Sequence, residues 1–272
     1  MFFRKEIIDD YPINRIFPLI ILNIRNILIC PLCSSRLSLI KDNYHCSSVT
    51  CFHHNLKNHF PIIQGVPIVI SSKTDTVCNS SISTTYIQRP FSKFTHIKKF
   101  FKGESHITRS NCIRFKNELF KTTRKPRLLV IGSGEMGSGT TELWKDDALE
   151  IHGVDIYISA TVDVVCDAHY LPFDSCTYDG VWIQAVLEHV VEPQVVVSEI
   201  YRILKINGLV YAETPFMQQV HEGAYDFTRY TGLGHRYLFK NFEKISIGGI
   251  GGAHIAFSWS FRYLVYAITR SR

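Results

Sequence analysis

From Leu128 onward, short aliphatic runs recur along the chain and alternate with stretches of helical periodicity, the pattern of a parallel sheet with crossover helices. Strands are predicted at 128–131, 150–154, 162–166, 180–183 and 209–213, with a sixth at 244–247. Helices are predicted at 140–145 and 193–204. In the second, Pro193 suits the first turn, Val196, Ile200, Ile203 and Leu204 share a face, and Gly208 follows the end. Upstream, residues 67–70 read as a strand, and 71–85 are Ser- and Thr-rich without apolar periodicity, which reads as a linker. A segment mixing aromatic and basic residues follows and predicts one or two helices before Pro126. The aromatic tail at 253–268 is predicted to form a buried helix or, as the alternative, a membrane-surface contact.

The expected architecture is therefore α/β, with helices on both faces of the sheet and a smaller module ahead of it. With 272 residues, 46% of them hydrophobic, the chain is long enough for one substantial core plus that module. The boundaries expected are 1–72 for the tail and small module, 73–125 for the linker and basic segment, and 126–272 for the sheet domain. No run reaches the roughly 18 apolar residues of a membrane span. The apolar stretch 17–24 is short, is bracketed by Arg15 and Arg25 and lacks a small-residue cleavage site, so a cytoplasmic protein is expected.

Charge is regional. Between Tyr86 and Arg127 there are twelve Lys or Arg against Glu104 and Glu118, a local +10 within a total of +6. Such a segment can track nucleic-acid phosphates, and RNA is one candidate partner of 86–127; a solvated helix face is the alternative.

The first strand runs into "GSGEMGSG", where Gly132, Gly134 and Gly137 fit G-x-G-x-x-G. Glycine lets bare backbone approach a ligand at the carboxyl end of a strand, although glycine turns also serve as plain corners. Asp155 follows the second strand, 18 residues past Gly137, where a carboxylate can accept from two ribose hydroxyls. Up to this point NAD is served equally well.

The stretch after the third strand, "CDAHYLPFDSCTYDGVWIQAVLEHV", resembles the class I S-adenosylmethionine-dependent methyltransferases of the D-A-x-x-L-P-F, L-E-H branch. "LKINGLVYAETP" is similar to the L-K-P-G-G segment that leads into that family's fifth strand. The resemblance covers Leu128 to Thr214 and implies a Rossmann-like sheet with S-adenosylmethionine as cofactor. It implies Gly132, Ser133 and Gly134 at the methionine part, Asp155 with Ile156 at the ribose, Asp167 and Ala168 at the adenine, and Gln184 along the cofactor. Each of the two aspartates has a duller reading as a loop cap, and His189 as a structural histidine. The family's acidic residue two positions before the first glycine is Val130 here, and Glu135 is the expected compensation. The family's last strand has no evident counterpart after 244–247.

Cys30-x2-Cys33 and Cys46-x4-Cys51 are separated by twelve residues. Two thiolate pairs on two turns can close a tetrahedron around a structural zinc, with His45, His53 and His54 as substitute ligands. "CPLCSSRLSLIKDNYHCSSVTC" and the later "HFPIIQGVPIVI" resemble the zinc ribbons of methyltransferase activator proteins, which dock on methyltransferases.

Methyl transfer needs alignment of nucleophile and methyl above all, so no universal catalytic residue is expected. In "TPFMQQVHEGAYDFTRYTG", His221 is the candidate base, Arg229 the candidate partner of an anionic acceptor group, and Asp226 the carboxylate beside them; loop capping and a surface ion pair are the alternative. The acceptor is open between a small metabolite, a lipid-linked saccharide and RNA. The lack of N/D-P-P-Y/F after the fourth strand argues against adenine amino methylation. The competing reading of the whole chain is a non-catalytic adaptor that joins a zinc ribbon to a methyltransferase fold.

Overall fold

The computed structural model describes residues 1–5, 24–55, 59–74, 106–221 and 225–269. Most of the apolar stretch 17–24 and of the linker 71–85, and residues 86–105 of the basic segment, lie outside the described residues.

Eleven strands among the described residues join one sheet: β1 (Phe2–Lys5), β2 (Leu37–Ile40), β3 (Asn43–Cys46), β4 (Phe60–Ile63), β5 (Val66–Val69), β6 (Arg127–Ile131), β7 (Glu150–Asp155), β8 (Val164–Cys166), β9 (Tyr178–Gln184), β10 (Leu204–Glu213) and β11 (Phe242–Ser246). Helices are α1 (His106–Phe120), α2 (Thr141–Trp144), α3 (Pro193–Ile203), α4 (Gly232–Leu238) and α5 (Ala253–Thr269). The sheet order is β11-β1-β10-β9-β6-β7-β8-β5-β4-β3-β2. The central strands β10, β9, β6, β7, β8 and β5 pair in parallel. Taking β6 to β10 as a series of five, their order is 3-2-1-4-5, and the order reverses between β6 and β9, where a doubly wound sheet opens its ligand crevice. This is a mixed α/β sheet whose central six strands run parallel in a Rossmann-like order.

Alternation along each strand sorts the core into two layers. Leu128, Val130, Trp182 and Tyr211 face Cys112, Phe115 and Leu119 of α1. Leu129, Ile131, Val181, Ile183 and Val210 face Val196, Val197, Ile200 and Ile203 of α3. Helices therefore cover both faces.

Four local expectations change. The strand at 162–166 begins only at Val164, because the Val162 amide closes a turn onto the Ser159 carbonyl at 3.3 Å. Gly208 does not end a helix: α3 passes directly into β10, and Gly208 lies inside that strand, where an added Cβ would meet the Lys205 carbonyl at 2.8 Å. The tail forms α5 but buries none of its residues; among the described residues Ser260 accepts a hydrogen bond from Gln219 Nε2 at 2.9 Å and the Tyr263 hydroxyl donates to the Val220 carbonyl at 3.0 Å. The place beside the fifth parallel strand is filled from the other end of the chain: β1 lies antiparallel between β10 and β11, with Phe2 in one core layer and Phe3 in the other.

The cysteine-bearing strands β2 to β5 form an antiparallel meander, and β5 pairs with β8 through Ile68↔Val165 and Val69↔Cys166. That module thus extends the edge of the main sheet. Among the described residues, no helix is long and apolar enough to cross a membrane.

Candidate functional site

A cavity of about 570 Å³ opens at the carboxyl ends of β6, β7, β8 and β9. Gly132, Asp155, Ile156, Asp167, Ala168 and Gln184 line it. Gly132 turns the chain out of β6 with φ +78°, and a Cβ there would stand 2.2 Å from Val186 Cγ2. Its amide and that of Ser133 donate to the Val154 carbonyl at 2.9 and 3.1 Å, so the turn is stitched to the end of β7. Asp155 continues the stitching: Oδ2 accepts from the Gly134 amide at 2.7 Å and Oδ1 from the Ile156 amide at 2.7 Å. Ser133 is buried beneath the loop, and Gly134 packs against Tyr157.

After β8, Asp167 caps a short turn. Its Oδ1 accepts from the His169 amide at 2.9 Å and faces His169 Nδ1 at 2.6 Å, while His169 Nε2 accepts from the Glu192 amide at 3.2 Å. With Nε2 accepting, the geometry suits a ring that donates from Nδ1 to Asp167. His169, which the sequence reading passed over, thus orients Asp167; the signal was its place two residues on, within reach of an Asx-type turn.

Val130 is buried in the α1 layer. Glu135 lines the cavity and is exposed. A second carboxylate missed in the sequence is Glu213 at the end of β10, which accepts from the Tyr211 hydroxyl at 2.6 Å and from Gln184 Nε2 at 3.2 Å. Burial raises its pKa above the usual glutamate range. Gln184 also donates to the Ser138 carbonyl at 3.3 Å, so it ties β10 to the glycine loop.

His189 and His221 line the mouth of the cavity, with ring centroids 4.9 Å apart. Asp226 and Arg229 are absent from its lining and pair with each other behind His221. Asp226 accepts from the His221 amide at 2.8 Å, and its Oδ2 lies 3.2 Å from His221 Nδ1. The Arg229 hydrogen bonds hold the Asp226 carboxyl well below the usual carboxylate range, and the same bonds raise the guanidinium pKa. Glu188 is fully buried, neither carboxylate oxygen has a hydrogen-bond partner among the described residues, and burial pushes its pKa up to about 7.

At the other sheet edge, the Sγ atoms of Cys30, Cys33, Cys46 and Cys51 all lie within 4.8 Å of one another. Cys30 and Cys51 are 3.8 Å apart and Cys33 and Cys46 3.3 Å, against about 3.8 Å for thiolates around a tetrahedral zinc. The substitute ligands are otherwise placed: His53 Nε2 meets Ser71 Oγ at 2.8 Å, His54 Nδ1 meets the Cys46 carbonyl at 2.8 Å, and His45 packs on His59. On α1 and just after it, basic side chains are partly neutralised within the fold, Arg109 by Glu142, Lys116 by Asp146 and Lys121 by Glu118.

Curated proteins give no match. Among solved structures, a chain of the complex between the Haloferax volcanii Trm112 methyltransferase activator and a methyltransferase aligns at 22% identity and TM-score 0.37, over 46% of this chain and 65% of that one. The [4+2]-cyclase SpnF aligns at 21% and 0.37, over 47% and 54%. Haemonchus contortus phosphoethanolamine N-methyltransferase 2, in complex with phosphomonomethylethanolamine and S-adenosylhomocysteine, aligns at 21% and 0.38, over 48% and 36%. Each alignment spans less than two thirds of the neighbour's own length. Residues 129–212, which carry β6 to most of β10 and the lining of the cavity's closed end, match the family model of the methyltransferase domain, and this supports a class I methyltransferase.

Proposed function

We propose that the chain transfers a methyl group from S-adenosylmethionine to an acceptor seated at the mouth of the cavity. The observation that carries the reading is the convergence of the glycine loop, Asp155 and Asp167 on one cavity at the carboxyl ends of the parallel strands. In this reading Gly132, Ser133 and Gly134 flank the methionine part, Asp155 and Ile156 the ribose, Asp167 and Ala168 the adenine, and Gln184 the side of the cofactor. The cofactor supplies a methyl on sulfonium, already a good leaving group. The chain's contribution is alignment and exclusion of water, worth roughly 7–11 kcal/mol in well-oriented systems. On the acceptor side the His221 imidazole faces the acceptor, and Asp226 and Arg229 hold its loop. Calorimetry tests the reading: S-adenosylhomocysteine should bind the wild type, and Asp155→Ala should weaken it about tenfold or more. No heat of binding in the wild type would instead support the adaptor, the reading favoured by the apolar Val130 where an acid is expected.

We infer further that Cys30, Cys33, Cys46 and Cys51 hold one structural zinc in a ribbon that follows the N-terminal tail within 1–72, ahead of the segment 73–125 and a methyltransferase unit at 126–272 to which β1 and α1 also contribute. Thiols grouped at metal spacing suit a reducing compartment, so the protein is placed in the cytoplasm. RNA is retained as an acceptor through 86–127; binding that falls steeply with salt is the expected behaviour.

A further inference from the structure

We propose that Glu188, His189 and His221 bind one divalent first-row transition-metal ion at the acceptor side of the cavity. The ion would leave positions open for an oxygen atom of the methyl acceptor. The three side chains come from a turn after β9 and from the loop after β10, and one ligand atom of each lies within 4.8 Å of the other two. Ligand bonds of about 2.0–2.2 Å put neighbouring ligand atoms about 3 Å apart, so the loop closes slightly on the ion.

The hydrogen bonding already divides the two imidazoles as metal sites require. His189 Nδ1 donates to the Tyr225 carbonyl at 2.5 Å, which turns Nε2 toward Glu188 Oε1 at 3.8 Å. His221 Nδ1 faces the Gln219 carbonyl at 3.2 Å, Asp226 Oδ2 at 3.2 Å and Arg229 Nη2 at 3.5 Å, and in the proposed site its Nε2 serves as the ligand atom. A carbonyl or carboxylate on the far nitrogen is the support that holds a ligating histidine in orientation. Glu188 gives the independent sign of a missing partner. Its carboxylate is buried and, among the described residues, accepts no hydrogen bond; His189 Nε2 stands 3.8 Å from Oε1, beyond hydrogen-bond reach, and Arg229 is committed to Asp226. Burying such a group without a compensating contact is costly, and a cation between acceptor atoms removes the cost. Two imidazoles and one carboxylate suit a borderline divalent ion, and three protein ligands leave room for solvent or substrate.

For the acceptor, the inference rests on the methyl-transfer reading and narrows it to an oxygen nucleophile. A hydroxyl held by the ion loses its proton to water, its oxygen forms the new bond to the methyl carbon, and the sulfur–methyl pair returns to sulfur, giving neutral S-adenosylhomocysteine. His221 is then a ligand in place of a free base.

The test uses the full chain loaded with a single equivalent of zinc, which the four thiolates take in preference to the histidine–carboxylate site, and Mn²⁺ as the probe, followed by its electron paramagnetic resonance signal. One Mn²⁺ should bind per chain and enhance water proton relaxation, and both Glu188→Gln and His221→Ala should weaken it at least tenfold. Should Glu188→Gln fail to fold, the exposed His221 decides alone. Absence of saturable Mn²⁺ binding, equal binding in the His221 variant, or no relaxation enhancement would overturn the proposal. Calorimetry with S-adenosylhomocysteine on the same samples separates the two readings: loss of nucleoside binding in the wild type sinks methyl transfer, whereas loss of Mn²⁺ alone sinks only the metal site.

Discussion

Gly132 has little freedom to change. Its φ of +78° lies where side chains are strained, and the space of a Cβ is taken by Val186 Cγ2 at 2.2 Å. Gly132→Ala should therefore cost about 1–3 kcal/mol through backbone strain alone and should reduce nucleoside affinity, read by thermal unfolding and calorimetry. Wild-type values in both would show that the turn relaxes freely. The glycines and Asp155 were legible because their signal is residue type at a fixed spacing. Glu188 and His169 were not, because their significance lies in which partners surround them, and Glu188 matters through donors it lacks. Asp226 and Arg229 carried the right chemistry in the sequence, yet folding turns them onto each other.

At the level of single elements, two buried histidines set a pH response. His152 on β7 and His235 on α4 are both held to a pKa of about 4 by burial. The unfolded chain takes up these protons first, near pH 6.5, so stability falls as pH drops from there toward 4, by at most about 3 kcal/mol per histidine. The urea midpoint should fall between pH 7 and pH 5. His235→Phe, which suits the stack of His235 with Phe3 and Phe239, should recover part of that fall; an identical pH profile in the variant would exclude His235 as a source. The parallel strands were legible from aliphatic runs, whereas β1 was not: four residues carry no period, and its partners Leu209–Tyr211 lie some two hundred positions away. Its weight is nonetheless large. Phe3 is 1% exposed and stacks on Phe239 at 4.5 Å, so Phe3→Ala should cost about 3–5 kcal/mol by chemical denaturation. A cost under about 1 kcal/mol would mean that β1 is peripheral to the core.

For the molecule as a whole, the continuous sheet links the two ends of the site. β5 pairs with β8, and Asp167 stands just beyond β8, so the cysteine module buttresses the strand that presents the proposed adenine contact. Chelation should then raise amide exchange across β2 to β5 and lower the melting temperature, with a smaller loss of S-adenosylhomocysteine affinity. Exchange unchanged over residues 28–69 would remove zinc from the account of the fold. The two-layer α/β plan was legible in the alternation of periodicities. The edge-to-edge joining of the modules was not, because pairing between β5 and β8 depends on the tertiary approach of two strands nearly a hundred residues apart.

The insertion of β1 between β10 and β11 bears on how the polypeptide is made. A ribosome delivers Phe2 and Phe3 some two hundred residues before β10 and β11, so neither flanking strand exists when these two aromatic side chains are made. Their slot in the sheet is complete only once Ser246 has followed. Nascent chains stalled before residue 204 should accordingly leave the first strand open to protease and available to holdase chaperones.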